Sequence, residues 1–471
     1  MSHPSPSYLT ISGGLVKLAL PIWGAELAQM SIGIIGIIMT GHHSTTDLAA
    51  VSIGTSLWVP LLLLIAGSLS GLTSLVAHHF GAGTLAAIRS DVHQMGWASC
   101  TFSVSIAIAL WFMAEPVLRL LHAPENVVYA SVNYIHALCF GLPALTLYQL
   151  LMAYSNGLNH TLPNLIFSLF AIAINVPIGF VLIYGGEHTA STLGSWVPQW
   201  IEHMPAYGAL GAGIASAITF WCGLIGMSIY TAVSKTYHHI GLWRTLEWPK
   251  LRRIGYLLGI CLPLGVAIFA EVTMFTTVAL LIASFGPQVI AAHEITSQTV
   301  TLVFITPLSL SIALTIQLGT LLGRREAPTA RRAVRNGLMF ALGIACLNDL
   351  FLITFSRQVL SWFSNDEHVL AMAQELLYFG MIFQVSDVLQ TTMAGALRGY
   401  KDTRIVMLFT VVSYWCVGIG SGVIMANGHF GPLLGVYGYW IGMIAGLTTS
   451  AIMLGLRLRH TMHQPLPVLA H

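Results

Sequence analysis

The chain has 471 residues, 56% of them hydrophobic and only 8% charged, with a formal net charge of +2. A soluble domain carries about 25% charged residues. This composition excludes a soluble globular protein and leaves no polar stretch long enough for a separate soluble domain. Residues 1–14 are short and polar and carry no cleavable signal pattern. Cys100, Cys139, Cys222, Cys261, Cys346 and Cys416 are scattered singly, with neither metal spacing nor a disulfide framework.

Apolar runs fall at 15–40, 48–78, 94–121, 130–153, 162–184 and 206–233, and again at 254–285, 289–322, 335–356, 368–397, 404–426 and 433–457. Roughly 20 apolar residues suffice to cross a bilayer. Only helices satisfy their own backbone over such lengths in lipid. The sequence therefore predicts an all-α polytopic membrane protein with about twelve transmembrane helices.

The basic residues set the orientation. Lys17 lies near the start of the first run and Arg89 follows the second. Lys235, Arg244, Lys250, Arg252 and Arg253 follow the sixth, and Arg324, Arg325, Arg331, Arg332 and Arg335 the eighth. Arg398, Lys401 and Arg404 follow the tenth, and Arg457 and Arg459 the twelfth. Only Arg119 and Arg357 fall on the other side, so 17 of 19 basic residues share one side. The positive-inside rule makes that side cytoplasmic, with both termini inside.

The chain also repeats. At a constant offset of 242, Leu20-Pro21 falls on Leu262-Pro263, Ala49-Ala50 on Ala291-Ala292, Thr73 on Thr315, Gly81 on Gly323 and Arg89 on Arg331. Each repeat holds an even number of helices, so the halves run parallel, as two pseudo-symmetric six-helix bundles. The expected lobes are 1–234 and 254–471, joined by a basic cytoplasmic linker at 235–253. Two such bundles suit alternating access, with a site between or inside them.

Two acids stand inside apolar runs: Glu271 in 254–285 and Asp387 in 368–397. An acid at such depth costs about 2.5–3.5 kcal/mol on insertion scales, and it marks an ion path by default. Phe383, Gln390 and Thr391 share the helical face of Asp387. Glu294, with Gln298 at i+4, enters the eighth run from the outside and is a third candidate for the cation site. The sequence places no Lys or Arg deep in a run, so a proton or a hard cation such as Na+ is the expected counter-charge. In the first half Glu26 is the acid well inside a run; Gln29, Pro21 and Asn175 join it as proton or substrate candidates. Met274, Phe275, Phe383, Gln390 and Gln298 would line a chamber for lipophilic organic cations. No HExxH, phosphate-binding loop or GxSxG in context points to an enzyme.

The segments LALPIWGAELAQM, MTGHHSTTDLAAVSIGTSLW and NVPIGFVLIYG resemble the first half of the MATE multidrug and toxic compound extrusion family. EVTMFTTVALL, VIAAHEI and above all SDVLQTTMAGALRGYKDT resemble its second half, in the NorM branch. The resemblance implies twelve helices in two lobes and a bacterial inner-membrane antiporter that exports cationic drugs in exchange for Na+ or H+. It implies a C-lobe cation site with a Glu and an Asp at the positions of Glu271 and Asp387. The chain departs from the family pattern at Gly36, where the family has an Asp, and at Glu26, where it has a Gln. Phe383 stands where some members have a Tyr, and Glu294 replaces a Gln. No cofactor beyond the coupling ion and no nucleic-acid partner are expected, and the protein is expected to act as a monomer. The alternative within transport is a lipid-linked oligosaccharide flippase of the same superfamily; a channel or a non-transporting receptor is a third class.

The topology is tested by cysteine labelling at position 244 from outside intact cells, in a background lacking the native cysteines. No labelling is expected, and ready labelling would reverse the orientation.

Overall fold

The computed structural model describes residues 8–120, 124–193, 199–364, 366–428 and 434–464. Among these, twelve helices are long and apolar enough to cross a membrane, and each coincides with one expected run. They are α1 (Tyr8–His43), α2 (Thr45–Ala82), α3 (Leu85–Leu120), α4 (Glu125–Gly157), α5 (Leu162–Tyr184), α6 (Ala209–Val233), α7 (Leu251–Ile282), α8 (Pro287–Gly323), α9 (Ala327–Ser361), α10 (Glu367–Gly399), α11 (Thr403–Ala426) and α12 (Val436–His463).

Several helices outrun the apolar stretches. α3 begins at Leu85 rather than near 94, and α9 at Ala327 rather than near 335. At 1.5 Å per residue, 38 residues span about 57 Å, well beyond a hydrocarbon core of about 30 Å. The helices therefore continue past the lipid, and their polar ends carry Arg89, Asp91, Arg331 and Arg335. Two short helices that the apolar pattern did not suggest, Gly186–Leu193 and Gln199–Glu202, lie between α5 and α6. α11 is interrupted by a π-helical stretch at Val412–Ile419. Glycines make room beside it. A Cβ on Gly442 would lie 2.5 Å from the Gly422 Cα, and one on Gly446 2.8 Å from the Ser413 carbonyl oxygen. Small residues at such crossings let membrane helices approach backbone to backbone.

The chain forms two compact units. One comprises Met1–Trp23, Thr73–Thr84 and Gly259–His471, and the other Gly24–Leu72 and Leu85–Leu258. The first half of α1 and the last turns of α2 thus pack with the C-terminal half of the chain. In the second unit α4 packs on α3 and α6, and α5 on α6; in the first, α10 packs on α9 and α12, and α11 on α12. These pairings recur six helices apart, as the sequence repeat expects.

The reason α2 ends in the first unit is its crossing with α8. A Cβ on Gly81 would sit 2.1 Å from the Thr320 carbonyl oxygen, and one on Gly323 2.2 Å from the His78 carbonyl oxygen. Gly81 and Gly323 are partners under the 242-residue offset. Each abuts the residue three positions before the other, so the contact is reciprocal. Ser74 Oγ donates to the Arg398 carbonyl at 2.7 Å, His78 Nε2 lies 2.7 Å from the Gly399 carbonyl, and Gln317 Nε2 donates to the Ile11 carbonyl at 2.9 Å.

In the second unit the basic linker is docked on the polar end of α3. Arg253 Nη2 and Nε reach Asp91 Oδ1 at 2.6 and 2.8 Å, and the Asp91 side chain is fully buried. Gln94 donates to the Trp248 carbonyl at 2.9 Å and accepts from the Lys250 amide at 2.6 Å, while Trp97 Nε1 donates to the Glu247 carbonyl at 3.0 Å. Burial works against the Glu247 charge, but bonds from Ser90 and Lys250 outweigh it and hold that carboxyl below its usual range.

Gly81→Ala should destabilise the protein by about 1–3 kcal/mol, because the atom its methyl meets is backbone and cannot swing away. Gly343, on α9, has nothing within 4 Å of a Cβ. Gly343→Ala should therefore leave the thermal unfolding midpoint in detergent unchanged or raised. Equal midpoints for the two variants would contradict the close crossing.

Candidate functional site

The first unit brings α7, α10, α11 and α12 together around the two C-terminal acids. Glu271 on α7 is half-buried; Asp387 on α10 is 3% exposed, and the two carboxylates interact electrostatically. Among the described residues Asp387 Oδ1 has no hydrogen-bond partner. One turn away, Gln384 is 1% exposed and neither end of its amide is partnered. Tyr414, in the π-helical stretch of α11, is fully buried within electrostatic reach of both carboxylates, and its hydroxyl is also without a partner. The π geometry inserts an extra residue per turn, a feature frequent at functional sites. Buried polar atoms left unpaired are rare, since each costs about 1–3 kcal/mol. Asp387, Gln384 and Tyr414 left so beside a second acid suit a hydrated or ion-binding centre. The oxygen-only donors of Asp387, Glu271 and Tyr414 suit a hard cation or a proton. No group of three or more His, Cys, Asp or Glu occurs among the described residues.

An aromatic wall stands beside the acids. The Phe383 ring meets Phe275 edge-on at 5.7 Å and Trp440 at 6.1 Å, and Trp440 meets His293 at 5.8 Å. Met274 and Phe383 are packed at 0% and 1% exposure, so they form the wall's interior, while Phe275 is only partly covered. Gln390 is buried on α10 and accepts from Thr391 Oγ1 at 3.0 Å.

The remaining candidates sit elsewhere. Gln298 Nε2 donates to Glu294 Oε1 at 2.8 Å on an exposed face of α8, and no hydrogen bond or ion pair joins Glu294 to Glu271 or Asp387. In the second unit Glu26 and Gln29 are half-buried on α1, and among the described residues no hydrogen bond or ion pair engages the Glu26 side chain. Pro21 lies inside α1 without ending it. Asn175 on α5 is buried and donates to Thr219 Oγ1 on α6 at 3.2 Å.

One expectation is corrected. Arg398, counted among the charges that follow the tenth run, lies inside α10 and is only 7% exposed. Its guanidinium interacts electrostatically with Glu271, although no ion pair joins them, and its Nη2 donates to Ser311 Oγ at 2.7 Å. The acids are therefore not without a protein cation. The signal was present in the spacing. Eleven residues advance a helix by about 20° past three full turns, so Arg398 shares the Asp387 face of α10 about 16 Å further along; its bond to Ser311, whose hydroxyl reaches the Thr391 carbonyl, carries the guanidinium back toward Asp387. Tyr414 and Gln384 carried no comparable signal, because their apolar neighbours disguise them.

The MatE family model matches the chain twice, at residues 21–181 and 263–424, and the two matches begin 242 residues apart. Multidrug resistance protein PmpM of Pseudomonas aeruginosa is 36% identical over 445 residues, covering 94% of this chain and 90% of that protein. Multidrug resistance protein NorM of Vibrio cholerae is 34% identical over 453 residues, covering 96% of each. The crystal structure of the eukaryotic MATE transporter AtDTX14 superimposes with a TM-score of 0.84 at 18% identity, over 97% of this chain and 98% of that one. The matches over both halves and the full-length relatives establish that the chain belongs to the MatE family of membrane transporters, which are secondary transporters and not enzymes.

Proposed function

We propose that the protein is a multidrug efflux antiporter that exports lipophilic organic cations in exchange for Na+ or H+, with Glu271 and Asp387 as the coupling-ion site. The observation that carries this reading is the pair of interacting carboxylates with an unpartnered oxygen at Asp387 and an unpartnered hydroxyl at Tyr414. Two like charges in a poorly solvated place repel, and a bound cation or proton relieves them. Antiport follows when the ion and the organic cation favour different states of one two-state carrier, because each ligand then shifts the equilibrium against the other.

In this reading Phe275 is the drug-facing residue of a wall that Met274, Phe383 and Gln390 back, and Gln298 with Glu294 forms a separate polar patch on the exposed face of α8. Phe275 supplies a ring face for cation–π contact. The two lobes are 1–234 and 254–471, the linker 235–253 and both termini are cytoplasmic, and the protein works as a monomer in a bacterial inner membrane. Relatives named as multidrug resistance proteins do not favour the oligosaccharide-flippase alternative.

Glu271→Gln and Asp387→Asn each remove a charge with little change of shape. Each should abolish coupled ethidium efflux from loaded cells while leaving insertion intact. Wild-type efflux in both variants would rule out the acid pair as the coupling site.

We further propose Glu26, with Gln29, Asn175 and Pro21 nearby in sequence or in the same half, as a proton or substrate-cation site of the N-terminal lobe. Glu26 is ten residues from Gly36, about 80° round the helix and about 15 Å along it. It therefore serves a different depth from the family's Asp. Glu26→Gln should shift the pH dependence of efflux or weaken cationic substrates selectively. An unchanged pH profile together with an unchanged drug range would make Glu26 a packing residue.

A further inference from the structure

Arg398 is held in a built environment within the first unit. An arginine stays charged at any accessible pH, and a buried charge needs a compensating partner. Among the described residues the only side-chain hydrogen bond of its guanidinium goes to a neutral hydroxyl, Ser311 Oγ, at 2.7 Å. The Ser311 proton is donated onward to the Thr391 carbonyl on α10 at 2.6 Å. Gly395 makes this possible, because a Cβ there would lie 2.3 Å from Ser311 Oγ. Arg398 Nε is buried with no partner among the described residues, so the guanidinium keeps a spare donor. Behind it, the Arg398 carbonyl accepts from Ser74 on α2.

We propose that Arg398 is the tethered counter-cation of the acid pair: its guanidinium neutralises Glu271 when the coupling ion has left, so ion and guanidinium compete for one carboxylate. The inference rests on the reading of Glu271 and Asp387 as the cation site. The charged and titratable groups that face this cluster are Glu271 from α7, Asp387 and Arg398 from α10 and Tyr414 from α11. With Tyr414 neutral, two carboxylates and one guanidinium give the cluster a formal charge of −1. A single monovalent cation, a proton or a singly charged drug then restores neutrality. This matches the need of an exchanger to swap one charge for another at similar free energy. The backbone of the same residue is bonded to α2 at the Gly81–Gly323 crossing, so the position of Arg398 is sensitive to that contact.

The test uses the full chain reconstituted in lipid nanodiscs. Ethidium is bound and then displaced by Na+ at fixed pH or, in the absence of Na+, by protons. Arg398→Gln removes the competitor and should lower the cation concentration at half displacement by about ten-fold or more, the size expected for one charge acting across several ångström of partly screened protein. Arg398→Lys should restore the midpoint, and Arg398→Gln in a Glu271→Gln background should produce no further shift. An unmoved midpoint in Arg398→Gln, or the same shift in the Glu271→Gln background, would overturn the proposal. A cation response left intact by both Glu271→Gln and Asp387→Asn would instead sink the underlying ion-site reading. If Arg398→Gln does not insert, the apolar isostere Arg398→Met takes its place. If neither inserts, Ser311→Ala, which frees the guanidinium from its anchor but keeps its charge, must move the midpoint, and failure to do so overturns the proposal.

Discussion

The crossing of α2 and α8 at Gly81 and Gly323 is the contact on which the first unit depends. There two backbones touch where any Cβ would collide with a carbonyl oxygen. Because Gly81 and Gly323 are repeat partners, one solution serves both halves of the chain. The crossing draws the end of α2 against the end of α10, where Ser74 and His78 bond the Arg398 and Gly399 carbonyls. Close packing therefore fixes the end of the helix that carries Asp387. Chemistry and packing share one element, and a shift in either is transmitted to the other along α10.

The second constraint is the absence of water in the hydrocarbon. Lipid offers backbone groups no hydrogen bonds, so the chain becomes helices and the polar ends of those helices project beyond the core. It also makes every unpaired buried side chain unfavourable. Most are paired locally, as where Thr296 and Thr299 donate to carbonyls one turn earlier on α8. Some are not: Tyr154 and Asn156 in the second unit, and Asp387, Gln384 and Tyr414 in the first, keep buried polar atoms without a partner among the described residues. What sets the first-unit group apart is that it surrounds a pair of acids, Glu271 and Asp387.

Much of this was legible in the sequence. Hydropathy located all twelve helices, because lipid burial acts on whole stretches of residues. The 242-residue offset put Gly81 and Gly323 in register, but gave no sign that the two would meet. Glu271 and Asp387 stood out because a charge in an apolar run has few explanations. Arg398 was hidden by its neighbours: beside Lys401 and Arg404 it looked like a loop charge, and only the helix continuing to Gly399 brings it inside. The partition of α1 and α2 between two units was not legible either, since it depends on contacts between residues some 240 positions apart. The π-helical turn that presents Tyr414 left no local pattern that a period of 3.6 would reveal.

The most direct test of the central claim is ethidium efflux from proteoliposomes in which Na+ and H+ gradients are imposed separately. Efflux should rise with at least one inward cation gradient and vanish when that gradient is dissipated. Efflux that proceeds at the same rate with both gradients collapsed would contradict it.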